Sequence, residues 1–193
     1  MKVRRFMLAG LVAALAAVVA APGAYAETTK CTTPLNGSVT LDNVKVPKGA
    51  TCTLNGTRVK GNIKVGPDAR LVATNVRVGG NIHGKESAEV RVNGTLSKVG
   101  GNVQLKEVEL ATLTNVKVGG AVQVKEGDLA AVTNGKIKGD VQVFDYFDAV
   151  TLTNNRIGGN LQCKENFTAP GGSGNLVKGN AEDQCDSAIA TEV

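Results

Sequence analysis

The sequence predicts an all-β fold, a right-handed parallel β-helix (β-solenoid) of about seven coils with disulfide-capped ends. Three observations predict it: a repeat of 19–21 residues, alternation of apolar and polar residues within each repeat, and cysteine pairs about one repeat apart at both ends. Helix is not expected, because no window after residue 26 shows a capped 3.6-residue period.

The first 26 residues have the three parts of a secretory signal peptide. A basic start precedes an apolar run over 6–21, and Ala24-Tyr25-Ala26 provides a small-residue cleavage site. The apolar run is shorter than the roughly 20 residues that cross a bilayer, and Pro22 follows it. We therefore expect a secreted, extracellular or cell-wall-associated protein that begins at Glu27 and has no transmembrane span.

Composition restricts the partners and the core. The chain has 22 Lys and Arg against 17 Asp and Glu, but three of the cations lie in the leader, so the mature chain carries only +2. This balance does not by itself indicate nucleic-acid binding, and the positions of the charges matter more than their sum. The mature chain also lacks Trp and has four aromatic residues. Small aliphatic side chains must therefore fill a narrow core.

A repeated glycine marks each coil. It precedes one marker position seven times, at steps of 19 to 21 residues. The marker residues are Asn62, Asn81, Asn102, Ala121, Asp140, Asn160 and Asn180. This spacing is typical of a solenoid in which each coil forms one layer. The stacked asparagines either form a side-chain ladder or simply suit the corner of the coil.

Apolar and polar residues alternate after each marker, as they do in a strand with one buried face. Two apolar columns run there, from Ile63 to Leu161 and from Val65 to Cys163, with polar residues between them. Another apolar column, from Val59 to Val177, precedes the glycines. Such short strands cannot bury a face alone, so the coils must stack as parallel sheets. The right hand of the coil follows from the rule for parallel crossovers.

The four cysteines lie near the two ends of the repeat region. Cys31 and Cys52 are 21 residues apart, and Cys163 and Cys185 are 22 apart. Stacked residues lie about 4.8 Å apart, within the Cα range of a disulfide, whereas cross-pairs would span the rod. We expect a disulfide within each pair rather than a zinc site, because C-x2-C spacing is missing. Closed ends protect the terminal strand edges, so we also expect a monomer.

These features divide the chain into four segments. Residues 1–26 are the signal peptide, 27–36 an N-terminal cap segment, 37–185 the β-solenoid and 186–193 a flexible C-terminal tail. The Gly-rich stretch 170–175 is expected to form a surface loop that interrupts the last coil.

Two stretches of the repeat resemble the coils of bactofilins, bacterial β-helix proteins that form polymers. They are G-N-I-K-V-G-P-D-A-R-L at 61–71 and G-G-N-V-Q-L at 100–105, within a likeness that covers about 37–180. The resemblance implies a self-assembling structural protein, although bactofilins are cytoplasmic and lack a signal peptide and paired cysteines. The stretches 158–166 and 179–185 look more like small uncharacterised secreted proteins of high-GC Gram-positive bacteria, which implies export and no known activity.

Catalytic residues cannot be assigned from the sequence. Because some β-helical proteins cleave acidic polysaccharides, a polysaccharide-active enzyme stays an alternative. His83 has no Ser or Cys partner at a recognisable spacing, and Asp145 and Asp148 are typical of solvated acids. We therefore expect neither enzyme activity nor a cofactor.

An acidic column lies beside a lysine column at one coil position. Its members are Glu86, Glu107, Glu126, Asp145 and Glu165, and the lysines that precede them are Lys85, Lys106, Lys125 and Lys164. Neutralisation between the two columns is the simplest interpretation. Calcium binding across the acids is the alternative, although we assign no metal ligands.

All four aromatic residues of the mature chain lie between 144 and 167. Phe144 replaces the lysine of other coils and is therefore expected to point outward. We hypothesise that Phe144 and Tyr146 form a contact patch for a sugar or a partner protein. The alternative is that they cover the core under an irregular turn.

The strongest candidate for a binding site is a row of cations, which we call the cation row. It occupies the position before the buried Val59-to-Ile157 column and consists of Arg58, Arg77, Lys98, Lys117, Lys136 and Arg156. Strand alternation sends all six outward on one face, and the segments around them contain no acid. We hypothesise a secreted, non-enzymatic scaffold of the cell envelope that binds an anionic cell-wall or extracellular polymer through this row.

Overall fold

The computed structural model describes residues 26–186 and 189–193. These residues form strands, turns and loops, with no helix among them and hence no helix that could span a membrane. The signal peptide predicted over 1–26 lies outside the described residues except for Ala26.

The described strands wind into nine turns. Turns one to three contain β1 (Thr28–Lys30), β2 (Leu35–Asn36), β3 (Thr40–Leu41), β4 (Asn43–Val46), β5 (Thr51–Asn55), β6 (Arg58–Val59), β7 (Ile63–Val65), β8 (Arg70–Thr74) and β9 (Arg77–Val78). Turns four and five contain β10 (Ile82–Lys85), β11 (Glu89–Asn93), β12 (Lys98–Val99), β13 (Val103–Lys106), β14 (Leu110–Thr114) and β15 (Lys117–Val118). Turns six and seven contain β16 (Val122–Thr133), β17 (Lys136–Ile137), β18 (Val141–Thr153) and β19 (Arg156–Ile157). The last two turns contain β20 (Leu161–Lys164), β21 (Asn175–Val177), β22 (Ala181–Asp183) and β23 (Ala190–Glu192).

Three faces follow from the parallel pairing of these strands. The first face stacks β1, β4, β7, β10, β13, the beginnings of β16 and β18, β20 and β22. The second face stacks β2, β5, β8, β11, β14 and the ends of β16 and β18, which turn the corner between the two faces. The third face is a separate sheet of β3, β6, β9, β12, β15, β17, β19, β21 and β23.

The core consists of the apolar columns that the alternation predicts. Ile63 lies beside Ile82 in register, and both are buried. On the third face, Val99 and Val118 are buried neighbours in the same way. The all-β parallel solenoid is therefore confirmed, while the hand of the coil stays a prediction.

The glycine before each marker is explained by the corner that it forms. The Asn81 Oδ1 atom accepts a hydrogen bond from the Asn102 backbone N–H of the next turn at 2.7 Å. A Cβ on Gly101 would collide with this same Oδ1 atom. The stacked asparagines thus cap the backbone of the following turn, and a direct side-chain bond between markers joins Asn81 to Asn62 at 3.3 Å.

Both ends of the rod differ from the prediction. The segment 27–36, predicted as a cap, supplies β1 and β2, which pair with β4 and β5. The tail predicted as flexible supplies β23, which pairs with β21. Two turns therefore precede the first marked coil, which makes nine turns instead of about seven. The physical reason is that terminal strand edges have free backbone groups, and short flanking segments satisfy them.

The predicted disulfide pairs are confirmed. Cys31 bonds Cys52 and Cys163 bonds Cys185, with Cα atoms 5.4 and 5.1 Å apart. Each bond joins an end turn to the turn next to it, and all four cysteines are buried. The disulfides therefore fasten the two terminal layers to the stack.

Replacing Cys163 and Cys185 together by Ser should lower the free energy of unfolding by about 3 kcal/mol, because the unfolded chain regains the entropy of a 22-residue loop. Urea titration of the oxidised protein and the double variant measures the difference. Equal midpoints would show that this disulfide contributes nothing to the stability of the stack.

Candidate functional site

The cation row forms a continuous column on the third face. Arg77 lies in register between Arg58 and Lys98. Lys117, Lys136 and Arg156 continue the column in the next three turns. With a stacking distance of about 4.8 Å, the six cations extend for about 24 Å along the rod. The arrangement predicted from alternation is therefore present.

None of these cations forms an ion pair with a described residue. All six are exposed, whereas the Lys and Arg residues that do form ion pairs lie elsewhere on the described surface. Neighbouring unit charges at this distance in water repel each other by about 1 kcal/mol. An anionic chain along the column would relieve this repulsion.

Two further lysines enlarge the positive surface. Lys138 and Lys178 are exposed, and each follows a buried residue of the third face by one position. With Lys136 and Arg156 they surround a depression of about 530 Å³. These two lysines could not be recognised as a column in the sequence, because most turns have glycine at this position, as at Gly100. Strand alternation was the signal that could have identified them.

In most turns a glycine, such as Gly100 or Gly119, directly follows the buried residue of the third face. These glycines leave the backbone beside the cation row uncovered. A Cβ on Gly119 would collide with the backbone carbonyl of Gly100 in the preceding turn. Lys138 occupies the same coil position in the next turn, but Gly119 itself has no room for a side chain against Gly100. As a consequence, a ligand can approach the cations without steric hindrance from larger neighbours.

Lysines neutralise four of the five acidic-column members, as the simplest interpretation predicts, and Asp145 is the member without an ion pair among the described residues. Lys85 contacts Glu86 at 3.0 Å, and Lys106 contacts Glu126 at 3.3 Å and Glu107 at 3.4 Å. The hydrogen bond to Glu86 raises the pKa of Lys85. The calcium alternative gains no support within 26–186 and 189–193, where no group of three or more acidic, His or Cys side chains could hold a metal ion.

The first face carries a ladder of glutamine side chains. Gln104 donates to Gln123 at 3.1 Å, Gln123 to Gln142 at 2.8 Å and Gln142 to Gln162 at 2.7 Å. Gln162 ends the ladder on Glu182 at 2.6 Å. The ladder holds these half-buried amides in register. His83 lies two turns before Gln123 in the same column and is half-buried.

The predicted aromatic patch is wrong for Tyr146. This residue is 1% exposed, and its ring occupies the space beside Gly127 in the turn before it. Its hydroxyl has no hydrogen-bond partner among the described residues, and burial, followed by the charge of Asp128, raises its pKa. Phe144 does point outward and lies under Lys125 Nζ, 4.8 Å from the ring centroid. Left-handed backbone at Asp145 explains the difference. Its φ of 58° ends simple alternation, so the next residue, Tyr146, turns into the core, as Val108 does after Glu107 in an earlier turn.

Within the described part of the chain, these arrangements give an extended positive face and no comparable negative one. The third face offers charge and an uncovered backbone, and its cations are spread along the rod rather than gathered at a point. This is suited to electrostatic contact with a linear polyanion. No family model, no curated protein and no solved structure matches the chain.

Proposed function

We propose that the protein is an exported, non-enzymatic scaffold of the cell envelope that binds an anionic polymer along its third face. The observation that supports this proposal is the in-register column of six exposed cations without ion pairs among the described residues. Export is supported by the signal-peptide pattern and by the two disulfides, which are typical of oxidising compartments.

The ligand that suits this face is long rather than compact. The positive charge extends over about 24 Å, so a small anion would neutralise only one or two of the six side chains. Three of the six are lysine, and flexible ammonium groups bind as point charges without a fixed geometry. Teichoic acid, an acidic polysaccharide or DNA all fit, bound through charge without recognition of bases or sugars.

In dilute solution the rod is monomeric under this proposal. The disulfides fasten the terminal turns, and the end turns are short. Both features disfavour growth of the stack from end to end.

Changing Lys98, Lys117 and Lys136 together to Gln should abolish retention on immobilised teichoic acid at physiological salt, because half of the cation row is lost. The stability should not fall, since the three side chains are exposed and repel each other. Retention of the purified mature protein on the immobilised polymer, measured by salt elution, checks the result.

The matched control changes Lys106, Lys125 and Lys164 to Gln. It removes the same charge from the first face, where Lys106 and Lys164 contact acids and Lys125 lies over Phe144. This variant should keep most of its retention. If both triple variants eluted at the same salt concentration, binding would depend on net charge alone and the proposed site would be wrong.

A further inference from the structure

Two phenylalanines on adjacent turns are exposed together. Phe147 is 62% exposed and Phe167 is 78% exposed, and their rings stack with centroids 5.1 Å apart and planes at 22°. We call them the aromatic pair. Elsewhere, the core of this narrow rod is built mainly from small aliphatic residues. Contiguous apolar surface of this kind usually marks a contact site.

Acidic side chains surround the aromatic pair. Asp145 and Asp148 flank Phe147, are exposed and form no ion pair with a described residue. Glu165 lies two residues before Phe167 and contacts Lys164 at 3.6 Å. The corner between the first and second faces therefore presents an apolar projection with a negative rim.

The third face has a complementary surface in the same turns. This basic depression, with a volume of about 530 Å³, includes the half-buried Leu176 and Val193, which is 69% exposed. Its rim consists of Lys136, Lys138, Arg156 and Lys178. The depression is therefore apolar inside and positive at its edge. The aromatic pair is also apolar, but the side chains around it are negative.

The two surfaces lie on opposite sides of the rod at the same height. Phe147 belongs to turn seven and Phe167 follows β20 in turn eight, at the corner that joins the first and second faces. Arg156 belongs to turn seven and Leu176 to turn eight, on the third face across the coil. A second copy moved sideways without rotation would therefore place its aromatic pair against the depression of the first.

We propose that the aromatic pair of one chain docks in the basic depression of a second copy. The charges match because acids surround the projection and cations surround the depression, and the apolar side chains meet inside that ring. Each bound copy still has one free surface of each kind, so the contact is heterologous and produces open rows of parallel rods. The inference does not depend on the proposed function, although a polyanion on Lys136 and Arg156 would compete with it.

The association should be weak and concentration-dependent, because the contact covers only two turns of a nine-turn rod. Small interfaces of this kind have dissociation constants up to about 1 mM. The closed ends do not oppose it, since the contact is lateral. The protein is therefore monomeric when dilute and associates when concentrated.

Sedimentation velocity over a concentration series of the mature protein tests the proposal. The weight-average sedimentation coefficient of the unaltered protein should rise with concentration and fall back with added salt. Two double variants, Phe147→Ser with Phe167→Ser and Lys138→Glu with Lys178→Glu, should each stay monomeric. The altered side chains are exposed, so circular dichroism should show the unaltered fold.

An equimolar mixture of the two double variants gives the decisive result. The Phe→Ser variant retains only the basic depression, and the Lys→Glu variant retains only the aromatic pair. The mixture should therefore form 1:1 dimers that grow no further. Lys45→Glu with Lys64→Glu, on the first face, is the charge control and should associate like the unaltered protein. The proposal is overturned if the unaltered protein stays monomeric throughout, or if the mixture stays monomeric or grows beyond dimers.

Discussion

Val118→Asp should unfold the middle of the rod. Val118 is 2% exposed and lies in register between Val99 and Ile137, so a carboxylate there would be surrounded by apolar side chains. An isolated buried charge of this kind costs several kcal/mol, and we expect a loss of about 4 kcal/mol or more in unfolding free energy. Because each turn is stabilised by its neighbours, the defect separates the rod into two shorter stacks. Urea denaturation followed by far-UV circular dichroism measures the loss.

Lys117→Asp is the matched control in the same strand. Lys117 is exposed and lies between Lys98 and Lys136 in register. An acid at this position would face two cations, so the unfolding free energy should stay equal or rise by a few tenths of a kcal/mol. If the two variants lost similar stability, the inward assignment of Val118 and the outward assignment of Lys117 would be wrong.

Gly119→Ala should be nearly as damaging, although it adds one methyl group. The added Cβ would overlap the carbonyl oxygen of Gly100, which belongs to the backbone and cannot rotate away. The turns must separate locally, which stretches the hydrogen bond from Gly119 N–H to Val99 C=O, now 2.8 Å long. We expect a loss of about 3 kcal/mol, measured by thermal and urea denaturation.

Gly171→Ala is the control for the glycine prediction. The nearest atom to a Cβ there is the Val150 carbonyl oxygen at 4.0 Å, so the methyl group has room. The stability should change by less than about 1 kcal/mol. If both variants lost a comparable amount of stability, the loss would come from replacing glycine as such. A clash between turns at Gly119 would then not be its cause.

The periodic features of this protein could be predicted from the sequence, since each depends on one residue per coil. Stacking places residues one coil apart at a fixed distance, which is why the disulfide pairs and the cation row were identified. The resemblance to bactofilin coils stays a prediction, because no comparison tests it.

The features that break the period could not be predicted in the same way. The first two turns lack the glycine before the marker, so β1 and β2 were assigned to a cap segment instead of to the solenoid. The extra residue near Phe147 shifts the register of β18 against β16. Tyr146 is buried because the left-handed residue before it, Asp145, ends the alternation that would have sent it outward. The Tyr146 hydroxyl has no hydrogen-bond partner among the described residues, and a pattern of apolar and polar residues cannot predict this.

The central claim is that six in-register cations bind a linear polyanion by charge. The most direct measurement is the salt dependence of binding to a labelled single-stranded oligothymidylate of about 20 nucleotides, used as a polyanion of known charge. With six contacts, the slope of log K against log salt concentration should be about −4, and about −2 after Lys98, Lys117 and Lys136 are changed to Gln. Equal slopes for the two proteins, or binding without salt dependence, would contradict the account.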